Sequence, residues 1–247
     1  MLLDFFLAPL VYAALAAFVA FFVSPVQYVK VVRQDTARSY SSIFRETWYR
    51  DDCLRIFFGG AAPYVVMNFL SNLSFGLSDM VSERVLPLGY GILTGIFFRA
   101  LLGGAIETLM TVYPEVREIV RNKRELASGD GKVSSVLFPS FLRNSVAWLG
   151  STSAYEISTR FHLESGVSIL LSVCMGLIFA IVSIPFDVLV TQSCAAREEL
   201  TLLNRVLRIM RDSKNKFLLG SVIRVLQIVI FTAVTVSTMF FIRYLGI

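Results

Sequence analysis

Ser24-Pro25-Val26-Gln27-Tyr28-Val29-Lys30-Val31-Val32-Arg33-Gln34 follows a long apolar run, and two later stretches echo it: Tyr113-Pro114-Glu115-Val116 and Ile184-Pro185-Phe186-Asp187-Val188-Leu189-Val190-Thr191-Gln192. Proline takes a donor out of the helix ladder and bends the axis, so kinks are expected near Pro25, Pro114 and Pro185. Three bent ends can converge on one axis. Around these prolines lie uncharged or nearly uncharged runs at Phe5–Val26, Phe57–Ser78, Val85–Tyr113, Val133–Tyr155, Val167–Phe186 and Phe217–Ile242. A bilayer takes about 20 residues of helix to cross, so six spans are expected.

The charges fix how those spans are oriented. Segments after the first, third and fifth runs carry seventeen lysines and arginines, from Lys30 to Lys216, while those after the second and fourth hold only Arg84 and Arg160. Alternate loops lie on opposite faces, so the positive-inside bias puts the basic loops together and both termini on the other side. The chain has 247 residues, 55% of them hydrophobic, with mean hydropathy +0.68. Six spans leave almost nothing for a soluble domain, which predicts one integral membrane domain. The first run lacks a basic leader and is long for a signal segment, so it is expected to be retained. Cys53, Cys174 and Cys194 have no paired spacing and suggest neither disulfide nor metal cluster. The net charge of +5 is absorbed by the loops, so no nucleic-acid partner is implied.

The punctuation also divides the chain into three repeats, 1–84, a shortened 85–162, and 163–247. Ser42–Phe58 and Leu200–Leu218 both space apolar residues helically with basic ones between, the pattern of helices lying along a membrane surface. In the second repeat only Glu125–Ser134 remains, with Ser128-Gly129-Asp130-Gly131 reading as a turn. The even spans share an opening: Pro139 with Arg143, Gly220 with Arg224, and Pro63 with Met67 in the same frame.

With these motifs the sequence resembles the mitochondrial carrier family, which is built from three repeats, each opening on Pro-x-acid-x-x-base. Pro185 with Asp187 departs at Val190, where the base belongs; Pro25 with Gln27, Lys30 and Gln34 has an amide for the acid; Pro114 is followed by Val116 and Ile119. In the fourth span Tyr155 and Glu156 match the family's aromatic-acid element, with Arg160 one residue late. The resemblance implies an all-α membrane fold: a pseudo-threefold six-helix bundle with kinked odd helices and short matrix-side surface helices. It also implies a ring of inter-repeat ion pairs, mapped here as Lys30 with Asp187, Gln27 with Ile119, and Val116 with Val190. Reversing both charges of the surviving pair is then expected to be better tolerated than reversing one.

Ionisable residues within a span are functional hypotheses by default. By the same resemblance Met67, Arg143 and Arg224, with Asn68 and Asn144 adjacent, face a central cavity and contact substrate. Two guanidiniums suit a carboxylate or phosphate, whose oxygens match the planar fork. Arg99 and Glu107 are expected to form a mutual or inter-helix ion network, and His162 to be solvated. No nucleophile–base pair, metal-ligand cluster or phosphate loop stands out, so no catalytic role and no cofactor are expected. The resulting expectation is a monomeric antiporter of a small anionic nucleotide or carboxylate in the mitochondrial inner membrane, with termini in the intermembrane space and a lipid environment that includes cardiolipin. The alternative is a carrier fold without transport, serving membrane dynamics, protein insertion or scaffolding, with the outer membrane as its location.

Overall fold

The computed structural model describes residues 2–86, 89–123, 133–194, 204, 220–227 and 230, and the side chains of all of these except 2–9 and 165. Helices occupy almost all of this, with no strand among the described residues: α1 (Leu2–Thr36), α2 (Tyr40–Trp48), α3 (Cys53–Phe57), α4 (Ala61–Val85), α5 (Ile92–Asn122), α6 (Val133–Arg160) and α7 (Ser165–Cys194). Residues 221–227 are helical as well. The long helices pack in chain order, α1 on α4, α4 on α5, α5 on α6 and α6 on α7, and α7 returns to α1. The 220–227 segment lies against α1 through Ile223, which shares an apolar cluster with Tyr28, Val29 and Val32.

Polarity is distributed as lipid demands. Buried positions hold Gln27, Lys30, Gln34, Arg99, Arg143 and Asp187, while Phe18, Phe22, Leu109 and Leu170 are exposed. Burying charge and exposing large apolar side chains is unfavourable in water and favourable in a bilayer. Among the described residues, four helices are long and apolar enough to cross a membrane, within Leu10–Thr36, Cys53–Val85, Ile92–Asn122 and Gly166–Cys194. The protein is therefore a helical multi-pass membrane protein. α6 has the length, at 28 residues, but its mean polarity is higher because Ser140, Arg143, Asn144, Ser145 and Glu156 are turned into the bundle.

Several sequence expectations change. The run expected at Phe57–Ser78 becomes α4 at Ala61–Val85, because Gly59 and Gly60 separate it from α3. The run expected from Val85 starts instead at Ile92, since Val85 ends the preceding helix. Ser42–Phe58 is not one surface helix but α2 and α3, divided at residues 49–52; Ser39 opens α2 by accepting a hydrogen bond from Ser42 N at 3.2 Å. Helical conformation is unbroken through Pro25, Pro114 and Pro185. At Pro25 the carbonyl of Phe21, which the proline leaves without its ladder donor, accepts from Ser24 Oγ at 2.7 Å. The sixth span at Phe217–Ile242 is described only at residues 220–227 and 230. The surface segment Leu200–Leu218, apart from Asn204, and the turn at residues 128–131 lie outside the described residues.

Close approach of α5 and α6 depends on two glycines. A Cβ on Gly104 would stand 2.7 Å from Ser145 N, and one on Gly103 would meet the Trp148 ring. That approach lets the polar residues of α6 reach those of α5.

Candidate functional site

A cavity of about 230 Å³ opens between α1, α4, α5, α6, α7 and the 220–227 segment. It contains every residue expected to contact substrate: Met67 and Asn68 from α4, Arg143 and Asn144 from α6, and Arg224 from the last segment. Lys30, Gln27 and Asp187 line it too. Helical spacing explains the gathering, since positions three and four residues apart share a face, and five helices turn that face inward.

At one end Lys30 Nζ lies 2.6 Å from Asp187 Oδ2, joining α1 to α7, with both side chains almost wholly buried. Gln34 Nε2 donates to the same oxygen at 2.9 Å, and Gln34 Oε1 accepts from Thr191 Oγ1 at 2.8 Å. Asp187 Oδ1 lies 3.4 Å from Arg143 NH1. The aspartate is thus shared by three donors from two other helices, which is how a buried carboxylate is compensated. Of the prolines expected to bend the odd helices, Pro25 and Pro185 stand five and two residues before these charges.

The other two mapped pairs are built differently. Gln27 Nε2 donates to Glu118 Oε2 at 3.4 Å rather than meeting Ile119, because Glu118 is one residue earlier on α5 and on the inner face. Gln27 Oε1 accepts from Gln227 Nε2 at 2.8 Å. Val116 and Val190 share an apolar cluster with Val31, Val112, Ile119 and Val136. Where two charge partners are missing, the contact is dry packing.

Arg143 has a partner that sequence reasoning missed. Its NH1 and NH2 reach Oε1 and Oε2 of Glu115 in a two-pronged ion pair, NH2 at 3.2 Å, while Nε donates to Asn144 Oδ1 at 3.0 Å. Asn144 Nδ2 in turn donates to Thr108 Oγ1 at 3.0 Å. Glu115 follows Pro114 directly and stands one place before the family's acid position, so the signal lay in the right dipeptide at an unexpected register.

Arg224 is the contrast. Among the described residues its side chain makes no hydrogen bond or ion pair, and its buried Nε has no partner. Of the mutual or inter-helix ion network expected for Arg99 and Glu107, the mutual contact is not made, but Arg99 joins an inter-helix one. Arg99 Nε pairs with Glu156 Oε1 at 3.2 Å and its NH1 donates to Ser82 Oγ at 2.6 Å; Tyr90 OH donates to the same Glu156 oxygen at 2.8 Å. These contacts tie α4, α5 and α6 at the end away from Lys30. Glu107 instead lines the cavity and is hydrogen-bonded by Ser71 and Trp148. His162 is exposed and adopts a left-handed conformation, φ 49°, after α6.

The two guanidiniums of the cavity do not stand alone. Among the described residues of the lining, Lys30, Arg143 and Arg224 face Glu107, Glu115 and Asp187, so their formal charges cancel. The sequence offered the cations together with Asp187 and Glu107; the carboxylate it missed is Glu115 of α5, the partner of Arg143. No family model, curated protein or solved structure matches the chain.

Proposed function

We propose that this chain is a secondary transporter of a small anion, working by alternating access on the mitochondrial carrier plan of three two-helix repeats. The observation that carries this reading is Arg224: a guanidinium with no described partner, opening onto a polar cavity between the helices. An unpaired permanent cation at such depth is costly unless a ligand meets it. Asn68, Asn144 and Gln227 add neutral polar groups to the same lining. The volume of about 230 Å³ is below the range of drug-sized sites and favours a small carboxylate over a nucleotide.

In this reading the Lys30–Asp187 pair and the Val116–Val190 contact close one end of the pathway, with Gln27 and Gln34 bracing the pair. The Arg99–Glu156 contacts brace the other end. Substrate drives the exchange by binding the occluded form better than either open one. The proposed setting is the mitochondrial inner membrane, with the protein acting as a monomer among lipids that include cardiolipin.

The two-pronged Glu115–Arg143 pair favours a second reading, a carrier fold that has given up transport, because it occupies one of the two expected anion-binding forks. Uptake into proteoliposomes separates the two. Vesicles loaded with a panel of mono- and dicarboxylates, phosphate and nucleotides should exchange at least one small anion, and Arg224→Ala should abolish that exchange while Arg224→Lys weakens it less. No exchange across the panel establishes the second reading.

A further inference from the structure

The structure gives Glu107 a setting unlike any other charge in the cavity. It is the central residue of α5, midway along Ile92–Asn122, so it sits near mid-bilayer depth if that helix spans. Among the described residues it has no cation within ion-pair distance. Its only partners are neutral: Ser71 Oγ donates to Oε1 at 2.5 Å and Trp148 Nε1 donates to Oε2 at 2.7 Å. Phe75 stacks on the Trp148 ring at 4.2 Å and walls off the indole side. Every other carboxylate of the cavity has a basic partner: Glu115 holds Arg143 and Asp187 holds Lys30. The remaining charged and titratable groups facing the cavity are Tyr64 on α4 and Arg224.

The two partners differ in what they tolerate. An indole N–H can only donate, so the oxygen it holds must stay an acceptor. A hydroxyl can donate or accept, so the oxygen facing Ser71 is able to carry a proton and donate to Ser71 Oγ without losing a hydrogen bond. The site therefore satisfies both the carboxylate and the carboxylic acid, with the proton assigned to Oε1.

We infer that Glu107 is the proton-binding site of the cavity and that one proton enters with each monovalent anion, an inference that rests on the transport reading. Among the described residues the lining carries three basic groups against three carboxylates, a neutral set. A proton on Glu107 leaves it at +1, and a monoanion on Arg224 returns it to zero. Each ligand thus removes the electrostatic cost of the other, and by linkage the coupling is reciprocal. The transported species is then an anion together with its proton, and movement is electroneutral.

The full chain in lipid nanodiscs is titrated with acid while the infrared carbonyl stretch of protonated carboxyl groups is recorded, for the wild type and for Glu107→Gln. Glutamine keeps the shape, an acceptor for Trp148 and a donor for Ser71, so folding is preserved; Ser71→Ala serves as a second variant that shifts the band without removing it. The wild type should show a band that Glu107→Gln lacks. In proteoliposomes with the membrane potential clamped at zero, a tenfold inward proton gradient should accumulate a monocarboxylate roughly tenfold, and Glu107→Gln should lose that accumulation. A carbonyl band identical in the glutamine variant overturns the site. A band that disappears as expected, with wild-type uptake indifferent to the gradient, overturns the coupling. If no anion of the panel moves while the band is lost in Glu107→Gln, the proton site stands and the transport reading falls.

Discussion

The shared aspartate makes an asymmetric prediction. Asp187 is held by Lys30 at 2.6 Å, by Gln34 at 2.9 Å and by Arg143 at 3.4 Å, whereas among the described residues the only carboxylate paired with Lys30 is Asp187. Removing one member of a buried ion pair costs ~3–5 kcal/mol, because the other charge is left uncompensated. Asp187→Leu strips three donors and should fall at the upper end, ~5 kcal/mol; Lys30→Met leaves Asp187 with Gln34 and Arg143 and should fall near ~3 kcal/mol. Simple addition would give ~8 kcal/mol for the double variant, but residues in contact couple by ~0.5–3 kcal/mol, so Lys30→Met/Asp187→Leu should cost ~5–6 kcal/mol. A chain of this size shifts in Tm by ~2–4 °C per kcal/mol. The four proteins are compared by equilibrium unfolding in mixed micelles, followed by far-ultraviolet circular dichroism. Costs that add without coupling, or Lys30→Met costing more than Asp187→Leu, refute the reasoning. The structure also reverses the expectation for charge exchange. A lysine at position 187 would stand beside the Arg143 guanidinium, so Lys30→Asp/Asp187→Lys should rescue poorly.

Other expectations follow from contacts elsewhere in the bundle. Gly103→Val drives a branched side chain into the Trp148 ring and should cost ~1–3 kcal/mol, read as a lowered Tm. Arg99→Ala leaves Glu156, 2% exposed, with only Tyr90 and the longer Arg160 contact at 3.4 Å; it should destabilise by ~3 kcal/mol or more, and Glu156→Gln in that background should recover part of the loss. Outside the membrane, the Ser42 hydroxyl and then the Arg38 guanidinium hold the exposed Glu46 carboxyl below the usual glutamate range. A depressed carboxyl contributes its stability above its unfolded value and loses it as pH falls through the folded one, so α2 should loosen on acidification; in Ser42→Ala the Glu46 titration seen by NMR should move upward. Val116→Asp places a carboxylate among Val31, Ile119 and Val190 and should cost several kcal/mol unless Val190→Lys accompanies it. Unfolding measurements on the single and double variants check this.

The resemblance to carriers supplied the candidates for the cavity, while sequence alone determined that this is a helical membrane protein and where most of its long helices lie. These are local properties. In lipid each helix satisfies its own backbone, so an apolar run declares a span without reference to its neighbours, and loop charge is read segment by segment. Gly59-Gly60 moved one boundary and the polar face of α6 lowered its apolar signal, both visible once inward and lipid-facing residues are distinguished. The pairing of charges was decided only by the tertiary structure. Lys30 and Asp187 were legible through the ring of ion pairs that the carrier resemblance implies, but Glu115 and Glu118 reach their partners from positions one residue off the mapped ones. Glu107 and Arg99, eight residues apart on one helix, part company toward Trp148 and Glu156. Each residue on a helix is turned 100° from the last, so an offset of one changes which neighbouring helix a side chain meets. Charge balance in a cavity is a sum over those meetings, and it exists only once the helices are packed.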